Sequence, residues 1–338
     1  VLTYDNIPYW LGAFISFGIV VIYVATSGVR GAAWSDVFQA ILMLVIAWIL
    51  GMYFVQKLHG GIGNMFETIN NSNNDFLLIG EEGSAMSKAR YSSNIIISMI
   101  GFVMWPHLFT KSYTTTEKRI KTTVAVYPIF ALFLLPVLFI GFSGYGIVSG
   151  DQIENSGQIL PYLITNYLTE SGLLYGIVGA GALAAAMSSS DAITHGASVS
   201  FGRDICKAIY SKIPENIELW IMRGAVFGVG AIAYLIAIFG SEGLIQLLLG
   251  AYGPIAQLAP AVYASLFFRK VSAISIIIGL ILGVCITIYY QYFADSTLFD
   301  LHAGLIGLTV NVTAVFVFST VYKQSVSEIV KAQEFNEI

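Results

Sequence analysis

Charge is scarce in this 338-residue sequence: Asp, Glu, Lys and Arg make up 11% of it, against about 25% in a soluble domain. With less than half the usual charge the chain cannot cover a water-facing surface. Its 57% of hydrophobic residues and mean hydropathy of +0.77 predict an integral membrane protein. The 16 basic residues are scattered and the net charge is -4, so there is no basic stripe for phosphate binding and no nucleic-acid partner is expected. Cysteine is nearly absent. Cys206 sits beside charged residues and Cys285 in an apolar run, and two such residues build neither a disulfide framework nor a metal quartet. The four histidines, His59, His107, His195 and His302, fall on different segments without a His-Glu-x-x-His pair, so an intramembrane metalloenzyme lacks its ligands and no enzyme is expected. A basic leader and a small-residue cleavage site are also missing, so the first apolar run does not read as a signal peptide. The start at Val1-Leu-Thr-Tyr-Asp reads as the middle of a gene, and a fragment is expected.

What is present is a series of apolar runs, at 9–28, 33–56, 94–110, 122–149, 172–202, 219–240, 243–268, 271–293 and 301–322. A helix crossing a bilayer takes about 20 such residues. The sequence therefore predicts an all-α, polytopic bundle forming a single transmembrane domain over 1–338. Loop charge orients it. With the N-terminus outside, the inner side receives Arg30, then Lys111, Lys118, Arg119 and Lys121, then Arg203, Lys207, Lys212 and Arg223, then Arg269 and Lys270, and finally Lys323 and Lys331, leaving only Lys57, Lys88 and Arg90 outside. That asymmetry is the positive-inside pattern, and it also puts the C-terminus inside. The polar stretch 57–93, rich in Asn, Gly and Ser around Gly60 to Asn74, reads as an irregular outer cap.

Prolines and glycines inside apolar runs mark breaks, which survive in membranes where they line a cavity. Trp105-Pro106-His107 near the inner end of run 94–110 should bend or end that helix; it reads either as an interfacial terminus or as a ligand-facing turn. Run 243–268 carries Gly250, Gly253, Pro254 and Pro260 and should be a flexible segment. The most informative stretch is Gly179-Ala-Gly-Ala-Leu-Ala-Ala-Ala-Met-Ser-Ser-Ser-Asp-Ala-Ile-Thr-His195. On a helix Ala185, Ser188 and Ser189 stand at i, i+3 and i+4, so a carbonyl and two hydroxyls converge on one side, a set of hard oxygens suited to a small cation. Asp191 lies well inside the same run, where a carboxylate costs about 2.5 to 3.5 kcal/mol, and so is a functional candidate. The alternatives are a helix packed through its small residues and an internal Asp191–His195 pair at i+4. Asp36, in Gly31-Ala-Ala-Trp-Ser-Asp-Val-Phe-Gln39, reads equally as a first-turn acid on the second span or a site residue.

These stretches resemble the sodium/solute symporter family. Ser27-Gly-Val-Arg-Gly-Ala-Ala-Trp-Ser-Asp-Val-Phe-Gln39 is similar to the family's Gly-Gly-x-x-Ala-Val-x-Trp-Thr-Asp-x-x-Gln segment. Ala184-Ala-Ala-Met-Ser-Ser-Ser with the trailing Arg203-Asp204-Ile205 is similar to its Ala-Ala-x-Met-Ser-(Ser/Thr) helix and Asp-(Ile/Leu)-Tyr. Trp105-Pro-His-Leu-Phe-Thr-Lys111 and Gly250-Ala-Tyr-Gly-Pro254 are weaker echoes. The resemblance implies a core of ten helices in two inverted repeats of five, with the first run here as the fourth core helix, run 94–110 as the sixth, run 172–202 as the eighth, and two further helices after the core. The first core helices would then be missing.

It also implies a sodium site on Ala185, Ser188 and Ser189. In some members a second site uses the position of Asp36 and two hydroxyls at the positions of Asp191 and Ala192; here those are a carboxylate and a methyl. Solute would lie beside the sixth helix, making Phe102, Trp105 and His107 the solute-side candidates. The implied activity is sodium-driven symport of a small organic solute (a sugar, amino acid, monocarboxylate or vitamin-like compound) across the plasma membrane by alternating access, with Na+ as coupling ion and no organic cofactor. Proton coupling through Asp191 and a transporter-like membrane sensor are the other readings.

Overall fold

The computed structural model describes residues 8–72, 76–80, 86–112, 115–149, 151–153, 156–168, 172–210, 212–240, 244–268, 270–326 and 328–330. Within these, the side chains of 27–32, 110–112, 130, 133, 156, 173–174, 244–246 and 249 are not described. The described residues form helices and turns, with no strand among them. In chain order the helices are α1 (Tyr9–His59), α2 (Ile62–Ser72), α3 (Lys88–Phe102), α4 (Pro106–Ser112), α5 (Glu117–Phe130), α6 (Leu134–Ser143), α7 (Ile159–Tyr167), α8 (Gly172–Val199), α9 (Lys207–Ile209), α10 (Glu215–Phe239), α11 (Leu244–Ala256), α12 (Ala259–Phe267), α13 (Ala273–Tyr292) and α14 (Ala303–Val321). They gather into two compact units, 1–72 with 109–241, and 73–108 with 242–338.

In the first unit α1 is the organiser. Its later half sends Ile46, Leu50 and Phe54 into a core with Ile140 of α6, Leu163 and Ile164 of α7 and Val178 of α8. Its earlier half places Val20, Val21 and Val24 against Val226 of α10. Small residues set the distances. A Cβ on Gly51 would lie 2.7 Å from the Pro136 carbonyl, and one on Gly181 would overlap the Ile46 side chain, so α6 and α8 approach α1 through glycines, as membrane helices do. Pro128 ends α5 in a 3-10 turn, Ala131–Phe133, from which α6 starts. Beyond α8 the chain widens into a π-helical turn, Ser200–Cys206. There Glu218 of α10, 4% exposed, accepts from Arg203 Nε and Lys207 Nζ, each at 3.0 Å.

In the second unit α13 and α14 pair along glycines. Gly283 and Gly307 leave the room occupied by the side chains of Gln257 and Thr287. Gln257 sits in the break between α11 and α12, wholly buried. Its Nε2 donates to the carbonyls of Gly253 and Gly304, each at 3.0 Å, and to Thr287 Oγ1 at 3.3 Å; Asn311 Nδ2 donates to the Gln257 carbonyl at 2.9 Å and to its Oε1 at 3.3 Å. The break therefore satisfies its own freed carbonyl and is tied to the helices behind it. At the end of this unit that holds the start of α3, Ser87 and Arg90 hold Asp300, with Arg90 Nη2 2.9 Å from its carboxylate.

Among the described residues seven windows are long and apolar enough to cross a membrane: Tyr9–Thr26, Ala33–His59, Glu117–Ser143, Tyr175–Ile209, Glu215–Phe239, Ala273–Tyr292 and Ala303–Val321. Each overlaps an expected run. The other two expected runs are interrupted helices. Run 94–110 breaks at Val103 to Trp105, with Pro106 opening α4 where its missing N–H costs nothing. Run 243–268 breaks at Gln257 and Leu258, before Pro260 at the start of α12.

Two expectations need correction. Runs 9–28 and 33–56 are not separate helices: no proline intervenes, and α1 continues through both. It is bent, however. Tyr23 and Ser35 both donate to one oxygen of Asp191, at 2.7 and 3.1 Å, so their Cα atoms can be at most about 15 Å apart, whereas twelve residues of straight helix span about 18 Å. The stretch 57–93 is not wholly irregular: α2 forms there because Met65 and Ile69, one turn apart, bury against Val55.

Candidate functional site

The small residues of α8 let it lie close against α1, and this brings polar side chains of both helices together. Ser188, half-buried, donates from Oγ to Asp36 Oδ1 at 3.1 Å. One turn on, Asp191 is fully buried and its Oδ2 accepts the Tyr23 and Ser35 hydroxyls. Its Oδ1 is buried without a hydrogen-bond partner. Gln39 is 8% exposed, and its Oε1 is likewise buried without a partner.

Two readings of the sequence change here. Asp36 is not a first-turn acid, because it stands in the middle of α1 with no helix N-terminus near it; it receives a hydroxyl from α8. Asp191 does not bond His195 one turn along; its hydrogen bonds cross to α1. Tyr23, Ser35 and Gln39 were not singled out by sequence reasoning. Gln39 lies in the stretch around Asp36, but Tyr23 is 168 residues from Asp191, and a tyrosine in an apolar run carries no signal that it faces a carboxylate.

The Ser188 hydrogen is directed at Asp36, which leaves the lone pairs of the hydroxyl oxygen turned away from that carboxylate. Ala185 and Ser189 are on the same stretch of α8, with Ser189 exposed. Among the described residues no group of three or more His, Cys, Asp or Glu gathers. Serine hydroxyls, carboxylates and carbonyls are ligands for hard cations of the sodium type, whereas zinc is held by thiolates and imidazoles.

The solute-side candidates belong to the second unit. Trp105, at the break between α3 and α4, stands edge-on to Tyr252 of α11 with centroids 5.9 Å apart, and 5.6 Å from the His107 ring. The backbones approach closely here, since a Cβ on Gly101 would fall 2.8 Å from the Tyr252 ring. Phe102 ends α3 just before the break. Irregular backbone at membrane depth is tolerated where it is buried in protein or lines a cavity.

Membrane-length apolar helices and two helices interrupted near prolines describe a multi-pass membrane protein. The chain belongs to the sodium:solute symporter family, whose model matches residues 6–283. It is 30% identical over 333 residues to the uncharacterized symporter YhjB of Bacillus subtilis, covering 94% of this chain and 66% of that protein. It is 23% identical over 332 residues to the sodium/sialic acid symporter NanT of Aliivibrio fischeri, covering 91% and 63%. The chain thus spans just under two thirds of the length of these relatives. Its fold is similar to a solved structure of a Na+-coupled sialic acid symporter in a substrate-bound outward-open state, with TM-score 0.70 and 22% identity over 95% of this chain and 68% of that one.

Proposed function

We propose that the protein is a secondary active transporter that uses a sodium gradient to carry a small organic solute across the plasma membrane by alternating access, with the N-terminal end of this chain outside and the C-terminal end inside. The observation that carries this reading is the Ser188–Asp36 hydrogen bond, which aims the hydroxyl's lone pairs away from Asp36 on the helix where Ala185 and Ser189 supply further oxygens. Sodium, as cargo and driving ion, binds there. Its departure toward the inside removes a charge that holds α8 to its neighbours, and that changes which side of the protein is open. The symporters among the relatives, two of them for sialic acid, support solute coupling. Phe102, Trp105 and His107 form the solute-side surface.

The test is Ser188→Ala in the full-length protein, measured by binding of radiolabelled sodium. Loss of one oxygen ligand should raise the sodium concentration for half-saturation about tenfold, the equivalent of about 1.4 kcal/mol. An unchanged sodium dependence sinks the site.

A further inference from the structure

In the second unit, α3, α12 and α14 leave between them a cavity of about 270 Å³ whose lining is almost wholly apolar. Ala264, Leu308 and Val315 are buried and form its floor, while Tyr263, Phe268 and Phe316 stand half-exposed at its rim. The Phe268 and Phe316 rings meet edge to face at the end of α12, with centroids 5.9 Å apart.

Few things can fill such a space. A water in a cavity needs about two to four polar partners, and this lining offers almost none. Left empty, the lining would forfeit the dispersion contacts that a packed neighbour supplies. α14 is long and apolar enough to cross a membrane, so the medium around it is hydrocarbon, and an acyl chain suits the cavity. From Leu308 to Phe316 the floor and rim follow about 12 Å of helix along which such a chain can lie.

One end of the cavity is basic. Lys270 stands between Phe268 and Val271, both lining residues. Lys323 follows the end of α14, and beside it Gln324 Nε2 donates to the Val271 carbonyl at 2.9 Å, which pins the two lysine segments at one corner. Both lysines are exposed, and neither has a carboxylate partner among the described residues. Glu328, a carboxylate tied to the same corner, is taken by the backbone N–H groups of Ala273 and Ser325. Two unpaired cations beside an apolar slot complement a lipid whose headgroup carries net negative charge.

We infer that this cavity binds an anionic phospholipid, with one acyl chain against α12 and α14 and the phosphate at Lys270 and Lys323. Because α12 follows the break at Gln257 and Leu258, the lipid holds the shorter half of an interrupted helix against α14. On the orientation proposed above, this corner faces inside and the lipid comes from the inner leaflet. The site itself depends neither on that orientation nor on sodium.

The experiment uses the purified full-length protein in sodium-free detergent solution and a phosphatidylglycerol with a photoactivatable diazirine on one acyl chain. Illumination should attach the probe to the cavity-lining peptides of α12 and α14, read by mass spectrometry. Unlabelled phosphatidylglycerol should compete at an about tenfold lower concentration than phosphatidylcholine with the same chains, and the double variant Lys270→Gln with Lys323→Gln should remove that preference. Val312→Phe, which puts a ring into the cavity, should abolish the labelling; Ala264→Leu takes its place if that variant does not elute as a single peak on size exclusion. Wild type without label on α12 and α14 overturns the inference, and is the result to expect if a part of the full-length protein outside this chain fills the space. Equal competition by the two lipids in wild type overturns it too, as does a preference that survives in the double lysine variant or labelling that survives the filling variant. Sodium is absent throughout, so a failure of the sodium reading leaves each of these outcomes as it stands.

Discussion

The network at the break in the helix pair α11 and α12 gives a quantitative test of what holds an interrupted membrane helix together. Replacing Gln257 by leucine keeps most of the side-chain volume and removes its donated bonds to Gly253, Gly304 and Thr287 and the bond that its Oε1 accepts from Asn311. Side-chain hydrogen bonds between membrane helices are worth about 0.6 kcal/mol on average and about 1.7 at most. The four together should therefore cost about 2 kcal/mol, a fall of a few degrees in the melting midpoint. Asn311→Leu removes its bond to the Gln257 carbonyl and the shared bond to Oε1. Since one bond belongs to both variants, the double variant should lose less than the sum, by about 0.6 to 1.7 kcal/mol. The assay is thermal unfolding of the four proteins in detergent, followed by size-exclusion chromatography of a fluorescent fusion. Strict additivity, within about 0.3 kcal/mol, would refute a shared network.

Other outcomes follow from close approaches and charges. Gly304→Ala should destabilise by about 1 to 3 kcal/mol, because its new Cβ would lie 2.5 Å from the Gly253 Cα, a backbone atom that cannot rotate aside; Gly12→Ala, with nothing within 4 Å, should not, and thermal unfolding compares them. The Ser87 hydroxyl and the Arg90 guanidinium hold the Asp300 carboxyl below its ordinary value of 3.8. Its contribution should be complete above that value and fade as pH falls through the lowered folded-state value, so Asp300→Asn should flatten stability against pH only at the acid end of a melting series. Glu218→Gln should lower the melting midpoint more than Glu215→Gln, since only Glu218 is buried between two cations.

Most of the helices were legible because hydropathy and loop charge are properties of short windows. The two breaks were legible from Pro106 and Pro260, since proline acts locally. The continuity of α1 was not: the stretch around Arg30 looks like a turn by charge and glycine content, and only packing against α8 shows that the chain stays helical and bends there. The site divides in the same way. Ser188 and Asp191 announced themselves by being polar in an apolar run, but their partners did not, because what pairs Tyr23 with Asp191 is the approach of two helices permitted by glycines such as Gly181. Gln257 was also missed. Two prolines and two glycines marked its segment as weak, while the residue that makes the weakness tolerable looks like any polar residue at a helix end.

The arrangement around Gln257 has a consequence for biogenesis. Helices enter a bilayer in the order of synthesis, and the segment 244–267 precedes α14 in the chain. On entry, its broken backbone would face lipid with an open carbonyl at Gly253, but the Gln257 amide closes that gap from within the same segment. The helix can therefore wait. Asn311, by contrast, has its bonding groups one helix away, so α14 carries an unmet polar group into the membrane and meets an acceptor already in place. The polarity that holds the finished unit together would thus also direct the last helix to its seat, and a variant at Gln257 would be felt during insertion as well as in the melting curve.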